Sequence, residues 1–332
     1  MITNAGILGV SGYTGQELVR YLNQHPHINI TALFSTSLSG KLSRIVPKLS
    51  HLDLPDVQAY DVELCRDLDI LFLAVPHTKA MPLVVELTAT CPSLKIVDLS
   101  ADFRLNDVAT FESYYQVQHT ATDVLPSFVY GLPEKYRDAI RSAQLVANPG
   151  CYATAMILGT MPLANRLEST VPLVIDAKSG TSGAGKSLKQ SSLFCEVNED
   201  LSAYATGTHR HMAELVQETG LSRVMFSPHL LPIDRGIEAA IYVPADGMTQ
   251  DALLSLYESA YDSHPFTTVM GPDTVPSLSL VQHSNRCVII PKVVDNWVIV
   301  FSLIDNLGKG ASGQAVQNAN LMLDYDETAG IN

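Results

Sequence analysis

The stretch Asn148-Pro149-Gly150-Cys151 sets a thiol directly after a turn and at the head of a run of helix formers reaching Leu158. At that position the free N–H groups and the dipole of the helix favour the thiolate, the form that attacks carbonyl carbon. A buried cysteine also serves commonly as a small apolar packing residue, so the setting admits packing as well as reaction. A reacting thiolate needs a proton carrier, and histidine is the usual one. Of the ten histidines, the densest candidate is the pair His209 and His211, flanking Arg210 in Gly207-Thr208-His209-Arg210-His211. That pair supplies only two ligands, with no cysteine or carboxylate at zinc spacing, so no metal is expected there.

The remaining candidates have plainer readings. Cys65, Cys91 and Cys287 read as packing or loop residues, and Cys195 has no evident activator. His25, His27, His51, His119, His264 and His283 lie at helix stops or in polar loops, where a surface place is expected. His77 follows a strand, and His229 reads as structural. Arg104, Arg210 and Arg235 are candidates for binding an anion, each with a solvated or ion-paired role as the ordinary alternative.

Two glycine-rich stretches could cradle phosphate. Gly9, Gly12 and Gly15 lie between a strand and a helix, where bare backbone N–H groups and the helix N-terminus suit a dinucleotide pyrophosphate. The spacing is GxxGxxG rather than GxGxxG, and an empty tight turn is its rival. An NAD site would carry a carboxylate about twenty residues on. Here Ser35, Thr36, Ser37 and Ser39 precede Lys41, hydroxyls and a cation that suit a 2′-phosphate, so NADP(H) is expected; a solvated serine loop is the alternative. The second stretch, Gly180 to Ser187, satisfies the bare P-loop expression, which keeps a nucleotide-hydrolase reading in play.

The elements that must position these groups follow from the hydrophobic pattern. Short apolar runs at 7–10, 28–34, 68–76, 95–100 and 144–148 alternate with helix-length or loop segments, the pattern of a doubly wound parallel sheet. After Cys151 the strands crowd together with few helices between them, apart from a helix over 249–263 capped by Thr249. That texture predicts an α+β domain on a mostly antiparallel sheet. A closing helix over 310–323 is placed back on the first domain. The boundaries expected are 1–148 with 309–332 for the first domain and 149–308 for the second.

With 332 residues and 46% apolar content, the chain can bury two cores. A formal charge of −13 argues against a nucleic-acid or anionic-membrane surface, while a few local arginines still allow a small anionic substrate. The five cysteines form no CxxC pair, and the start of the chain shows no signal-peptide core, so a cytoplasmic setting is expected.

Taken together and in order, the segments GVSGYTGQEL, VDLSADFRL, VYGLPE, NPGCYATA, IDAKSGTSGAGK, AYATGTHRHMAEL, PHLLPIDRGI and KGASGQAVQNANLML resemble the N-acetyl-γ-glutamyl-phosphate reductase family. The resemblance spans nearly the whole chain and makes the P-loop match a coincidence of a glycine-rich active-site loop. It implies a Rossmann-type domain plus an α+β catalytic and dimerisation domain, and NADPH-dependent reduction of N-acetyl-L-glutamyl 5-phosphate in arginine biosynthesis. Cys151 would be the nucleophile. The acid/base histidine would lie in the THRH segment, with His211 favoured and His209 close behind. Ser11, Gly12, Tyr13, Thr14 and Gly15 would hold the pyrophosphate, with Gly9 in the same turn. Ser182, Gly183, Asn306 and Gln314 would stand near the nicotinamide. Arg104, Arg210, Ser100 and Asn148 would meet the substrate. A homo-oligomer, dimer or tetramer, is implied. The rivals are aspartate-semialdehyde dehydrogenase, a reductase of carrier-linked aminoadipate phosphate, and a non-catalytic NADP-binding sensor or scaffold.

Overall fold

The computed structural model describes residues 2–164, 166–167 and 171–331. The chain forms two compact units, Met1–Pro149 with Ala311–Asn332, and Gly150–Gly310.

In the first unit, seven strands among the described residues form a parallel sheet. They are β1 (Thr3–Leu8), β2 (Ile28–Ser35), β3 (Val57–Ala59), β4 (Ile70–Leu73), β5 (Lys95–Asp98), β6 (Phe128–Tyr130) and β7 (Leu145–Ala147), in the order β3-β2-β1-β4-β5-β7-β6. The order reverses between β1 and β4, the switch point where doubly wound sheets bind ligands at their carboxyl edge. Because helices cover both faces, the inner strands are apolar throughout rather than alternating; all four residues of β4 are buried. The Tyr13–Leu22 helix follows β1 after the glycine turn, with Leu18, Val19 and Leu22 buried. The Gly313–Met322 helix packs on that helix and on the Pro133–Ser142 helix.

Two histidines expected at the surface of this unit are buried. His25 lies against Asn320, with Nε2 and Oδ1 2.9 Å apart. His119 places Nε2 2.8 Å from the Asp102 carbonyl. The His25 ring joins segments 295 residues apart and the His119 ring joins segments 17 apart, roles that a local reading of polar neighbours does not reveal.

The second unit carries β8 (Leu173–Gly180), β9 (Ser202–Ala203), β10 (Val224–Leu231), β11 (Ile237–Pro244), β12 (Thr267–Val269), β13 (Cys287–Val294) and β14 (Trp297–Ile304). They form one sheet in the order β12-β13-β14-β11-β8-β10-β9, antiparallel except for β8 with β10 and β12 with β13. The Cys151–Ala164 helix packs on β11 and β14. Its Gly159 permits close approach: a Cβ there would lie 2.4 Å from Ile241 Cδ1. Pro162 has no N–H to give the Leu158 carbonyl, and the Tyr261 hydroxyl donates to that carbonyl instead. The neighbouring Tyr257 hydroxyl donates to the Gly159 carbonyl at 2.6 Å. These two tyrosines belong to the Gln250–Tyr261 helix, capped by Thr249 as expected.

The opposite face of this sheet carries a charged cluster of Asp176, Lys178, Glu238 and His229 toward one end and exposed apolar residues toward the other. Trp297, Val174 and Met225 are 47%, 40% and 54% exposed, and Tyr242 and Ile299 join Val174 and Trp297 in lining a shallow depression.

Candidate active site

The chain leaves β7 at Ala147, and Asn148 is held at four points. Its N–H donates to the Asp98 carbonyl (2.8 Å), and its carbonyl accepts from Arg104 Nε (2.7 Å). Its Nδ2 donates to the Ala311 carbonyl (3.1 Å), and its Oδ1 accepts from Asn318 Nδ2 (3.0 Å). Arg104 is buried and also donates from Nη2 to the Leu99 carbonyl (2.9 Å). Ser100 is fully buried, donating to Asp98 Oδ2 (2.7 Å) and accepting from the Asp102 N–H (3.1 Å). The Asp98 carboxyl is pushed up to about 7, by burial first and by Asp102 second. Arg104, Ser100 and Asn148, expected at the substrate, stand together through these contacts at the ends of β5 and β7.

From Gly150 the second unit begins, and Cys151 opens its helix half-buried. The first bond of that helix runs from Thr154 N to the Gly150 carbonyl (2.8 Å). Glycine at 150 is a matter of space. A Cβ there would sit 2.5 Å from Nε2 and 2.6 Å from Cε1 of His211, so the imidazole lies flush on the backbone beside Cys151. Gly310 makes a similar approach from the other direction: its Cβ would meet the Cys151 Cβ at 2.9 Å.

The two histidines of the THRH segment have different surroundings. His209 is boxed by the rings of Tyr152, Tyr204 and Phe226 and meets His211 edge-on at 4.7 Å. Burial in that box, aided by the Arg210 guanidinium, pulls its imidazole down to about 4. Its Nδ1 accepts the His211 backbone N–H (3.2 Å), which requires that nitrogen unprotonated. A neutral ring engaged in this way holds the start of the His211–Thr219 helix, whereas His211 presents its ring to the turn before Cys151. Arg210 is exposed and stands at the N-cap of the helix.

Glu214, which the motif reading passed over, is buried in the first turn of the same helix, and its Oε2 accepts the Gly150 N–H at 3.0 Å. A carboxylate three residues after a candidate base was the available signal.

The Gly180–Ser187 stretch follows β8 but forms a four-residue 3-10 turn, Thr181–Ala184. A P-loop would lead into an α-helix whose N-terminus meets the phosphates; this one does not, and the hydrolase reading falls. Ser182 donates to the Asp234 carbonyl (2.6 Å) and accepts from Asn306 Nδ2 (2.9 Å), while Asn306 Oδ1 accepts the Gly236 N–H (2.7 Å). Both residues thus shape the loop, and Gly183 lies exposed on it. Arg235, a candidate anion ligand, instead forms a buried two-bond pair with Asp305, Nε to Oδ2 at 2.7 Å and Nη2 to Oδ1 at 2.8 Å. Asp305 also accepts the N–H groups of His283, Leu307 and Gly308, which fixes the turn leading to Gly310.

In the first unit, the three glycines after β1 differ. A Cβ at Gly9 would lie 2.2 Å from the Ala74 carbonyl oxygen, and one at Gly15 would lie 2.3 Å from the Gly9 oxygen. Gly9 also has φ of 101°, in the region that favours glycine. At Gly12 the nearest atom would be 3.5 Å away, so the fold itself tolerates a side chain there. Gly12 caps the Tyr13–Leu22 helix with no side-chain bond to the first N–H groups, the arrangement that an anion completes. Ser11, Tyr13 and Thr14 flank this turn, and Ser312 donates to the Thr14 carbonyl at 2.9 Å. Gln314 is fully buried two residues further on. Beside β1, β2 ends at Ser35 and runs into exposed Thr36, Ser37, Leu38, Ser39 and Lys41, with no carboxylate among them.

Among the described residues no cluster of His, Cys, Asp and Glu could hold a metal ion, and no helix is long and apolar enough to cross a membrane.

Residues 4–143 match the model of the semialdehyde dehydrogenase NAD binding domain, and residues 151–306 match that of the semialdehyde dehydrogenase dimerisation domain. Similar solved structures include aspartate semialdehyde dehydrogenase II from Vibrio cholerae, with a TM-score of 0.71 at 13% identity over 98% of this chain and 99% of that one. Aspartate semialdehyde dehydrogenase with NADP from Candida albicans gives a TM-score of 0.69 at 14% identity over 97% and 99%. At that identity the likeness is one of fold. Sequence relatives are much closer. N-acetyl-gamma-glutamyl-phosphate reductase of Desulforudis audaxviator is 46% identical over 98% of this chain and 97% of the relative. The reductase of the same name from Desulfotalea psychrophila is 44% identical over 98% and 96%. With its fold, its thiol–imidazole turn and this full-length likeness in agreement, the chain belongs to the N-acetyl-γ-glutamyl-phosphate reductase family.

Proposed function

We propose that the chain reduces N-acetyl-L-glutamyl 5-phosphate to N-acetyl-L-glutamate 5-semialdehyde with NADPH, releasing phosphate, as a step of arginine biosynthesis. The observation that carries this reading is the seat of His211 on Gly150, immediately before a cysteine at a helix head.

In this mechanism the Cys151 thiolate attacks the acyl carbon, the C–S bond forms, and the carbon–oxygen bond to phosphate breaks. The N–H groups at the start of the Cys151–Ala164 helix are assigned to the negative charge that develops on the acyl oxygen. A thioester accepts hydride more readily than a carboxylate, so forming it divides a hard reduction into two easier steps. NADPH, when bound, supplies the hydride. His211 holds and returns the proton as the aldehyde leaves the sulfur, while neutral His209 keeps the His211 backbone in place. Arg210 is assigned to the anionic substrate.

The cofactor assignment rests on the open cradle at Gly12. Gly9, Ser11, Gly12, Tyr13, Thr14 and Gly15 would hold the pyrophosphate, and Ser37 and Lys41 the 2′-phosphate. Ser182, Gly183, Asn306 and Gln314 are assigned to the nicotinamide end, where Ser182 and Asn306 act by shaping their loop. The dimerisation-domain match supports a homo-oligomer, with a second copy covering the open sheet face around Trp297 and Val174; dimer and tetramer are both compatible with it. Free cysteines throughout the described residues support a reducing, cytoplasmic setting.

The reverse reaction tests the proposal: NADP⁺ reduction with N-acetyl-L-glutamate 5-semialdehyde and phosphate, for wild type and Cys151→Ser. Wild type should turn over and the variant should lose at least about a thousandfold, as removal of a covalent nucleophile predicts. Aspartate semialdehyde in place of the acetylated substrate should be turned over poorly. Equal turnover by Cys151→Ser, or preference for aspartate semialdehyde, overturns the reading.

A further inference from the structure

Gly150 is met twice by one turn of a neighbouring helix. His211 lays its ring where a Cβ would be, and Glu214, one turn on, takes the Gly150 N–H on Oε2 at 3.0 Å. The Gly150 carbonyl meanwhile accepts the first bond of the Cys151–Ala164 helix, from Thr154 N. Both backbone polar groups of the residue before the nucleophile are therefore engaged, one by the base-bearing helix and one by the nucleophile's own helix.

Glu214 is 1% exposed. A carboxylate at such depth is costly unless hydrogen-bonded, and a free N–H at a helix start is a fitting partner. Packing alone cannot explain the choice, because an apolar residue of the same size would leave the Gly150 N–H without this partner. The two helices also pack against each other, so the bond acts at a contact that already exists.

We propose that Glu214 is a positioning residue: by accepting the Gly150 N–H it locks the helix carrying His211 against the turn that presents Cys151. The inference rests on Cys151 and His211 being the reacting pair. Glu214 does not touch the reacting atoms in this account, and what the site requires of it is an acceptor oxygen at that point.

Two variants separate the acceptor from the charge. Glu214→Gln keeps an oxygen that can accept the Gly150 N–H and removes the charge; Glu214→Ala removes both. The first readout is the pH dependence of Cys151 alkylation by iodoacetamide, followed by peptide mass spectrometry without substrate or cofactor. The second is kcat and KM in the reverse assay, on protein whose thermal unfolding and NADPH binding have been checked. Glu214→Gln should stay within about fivefold of wild type in kcat, whereas Glu214→Ala should lose about 30-fold at nearly unchanged KM, the scale of one buried, positioned hydrogen bond. At neutral pH Cys151 should be alkylated about threefold or more slowly in Glu214→Ala than in Glu214→Gln, because a loosened helix start stabilises the thiolate less. Indistinguishable Gln and Ala variants, in alkylation and turnover, would overturn the proposal by assigning the effect to charge or bulk. The alkylation comparison needs no substrate, so it stands even if the wild-type protein fails to turn over the proposed one. If Glu214→Ala is too unstable to assay, Glu214→Gln against Glu214→Leu gives the same contrast of acceptor and no acceptor.

Discussion

The imidazole of His211 occupies the space a side chain at Gly150 would need, its Nε2 standing 2.5 Å from the position of the missing Cβ. The glycine of the Asn-Pro-Gly-Cys turn is therefore explained by the ring above it and not by backbone torsion, since Gly150 is absent from the residues with positive φ. The relationship ties the turn before Cys151 to a particular one of the two histidines.

Gly150→Ala should fold and yet lose activity. The added methyl must push the His211 ring aside, and a displacement of about 1 Å at a catalytic group costs on the order of a hundredfold. Steady-state kinetics should show the loss in kcat, with KM little changed and the far-UV spectrum of wild type retained.

The glycines of the first unit should respond oppositely to the same substitution. Gly15→Ala forces a Cβ to 2.3 Å from the Gly9 carbonyl oxygen and should lower thermal stability, by about 1–3 kcal/mol for overpacking at a rigid backbone contact. Gly12→Ala meets nothing closer than 3.5 Å and should leave the melting temperature nearly unchanged. It should weaken NADPH binding by about tenfold or more, because the methyl stands where phosphate approaches the backbone. Differential scanning fluorimetry with and without NADPH distinguishes the two.

Lys41→Glu should raise the Kd for NADPH about tenfold and leave that for NADH nearly unchanged, since only the former carries a 2′-phosphate for the cation to meet. Fluorescence titration with both nucleotides reads this out. Equal weakening of both would place Lys41 away from the 2′-phosphate.

The neutral state of His209 gives a pH signature. Its folded-state pKa of about 4 lies below the ordinary value of 6.5, so over that interval the unfolded chain binds the extra proton. The stability contributed by neutral His209 is thus complete above about pH 6.5 and is lost as pH falls toward about 4. Urea unfolding between those limits should show wild type weakening more steeply than His209→Gln, which carries no titrating group.

The fold was legible where local pattern and long-range order agree. The strand, glycine turn and helix at 3–22 and the apolar runs of the parallel sheet could be read directly, as could the Thr249-capped helix. The site was legible only in part. Cys151 announced itself by its place after Pro149-Gly150, but His209 and His211 have the same local chemistry and separate only when Tyr152, Tyr204 and Phe226 box one of them. Glu214, Asp305 and Asn148 act through partners 64, 70 and 170 residues away, and no local spacing encodes those distances. Arg235 illustrates the converse: its place after a motif suggests an anion ligand, while two of its donors meet the buried carboxylate of Asp305.

In the proposed mechanism the sulfur of Cys151 takes up the acyl group. The direct measurement is to mix the enzyme with N-acetyl-L-glutamyl 5-phosphate without NADPH, quench in acid, and map the adduct by peptide mass spectrometry. One N-acetylglutamyl group per chain is expected, on the peptide containing Cys151, with its disappearance when NADPH is added before the quench. No adduct under conditions where the complete system turns over, or an adduct on Cys65, Cys91, Cys195 or Cys287 instead, would contradict it.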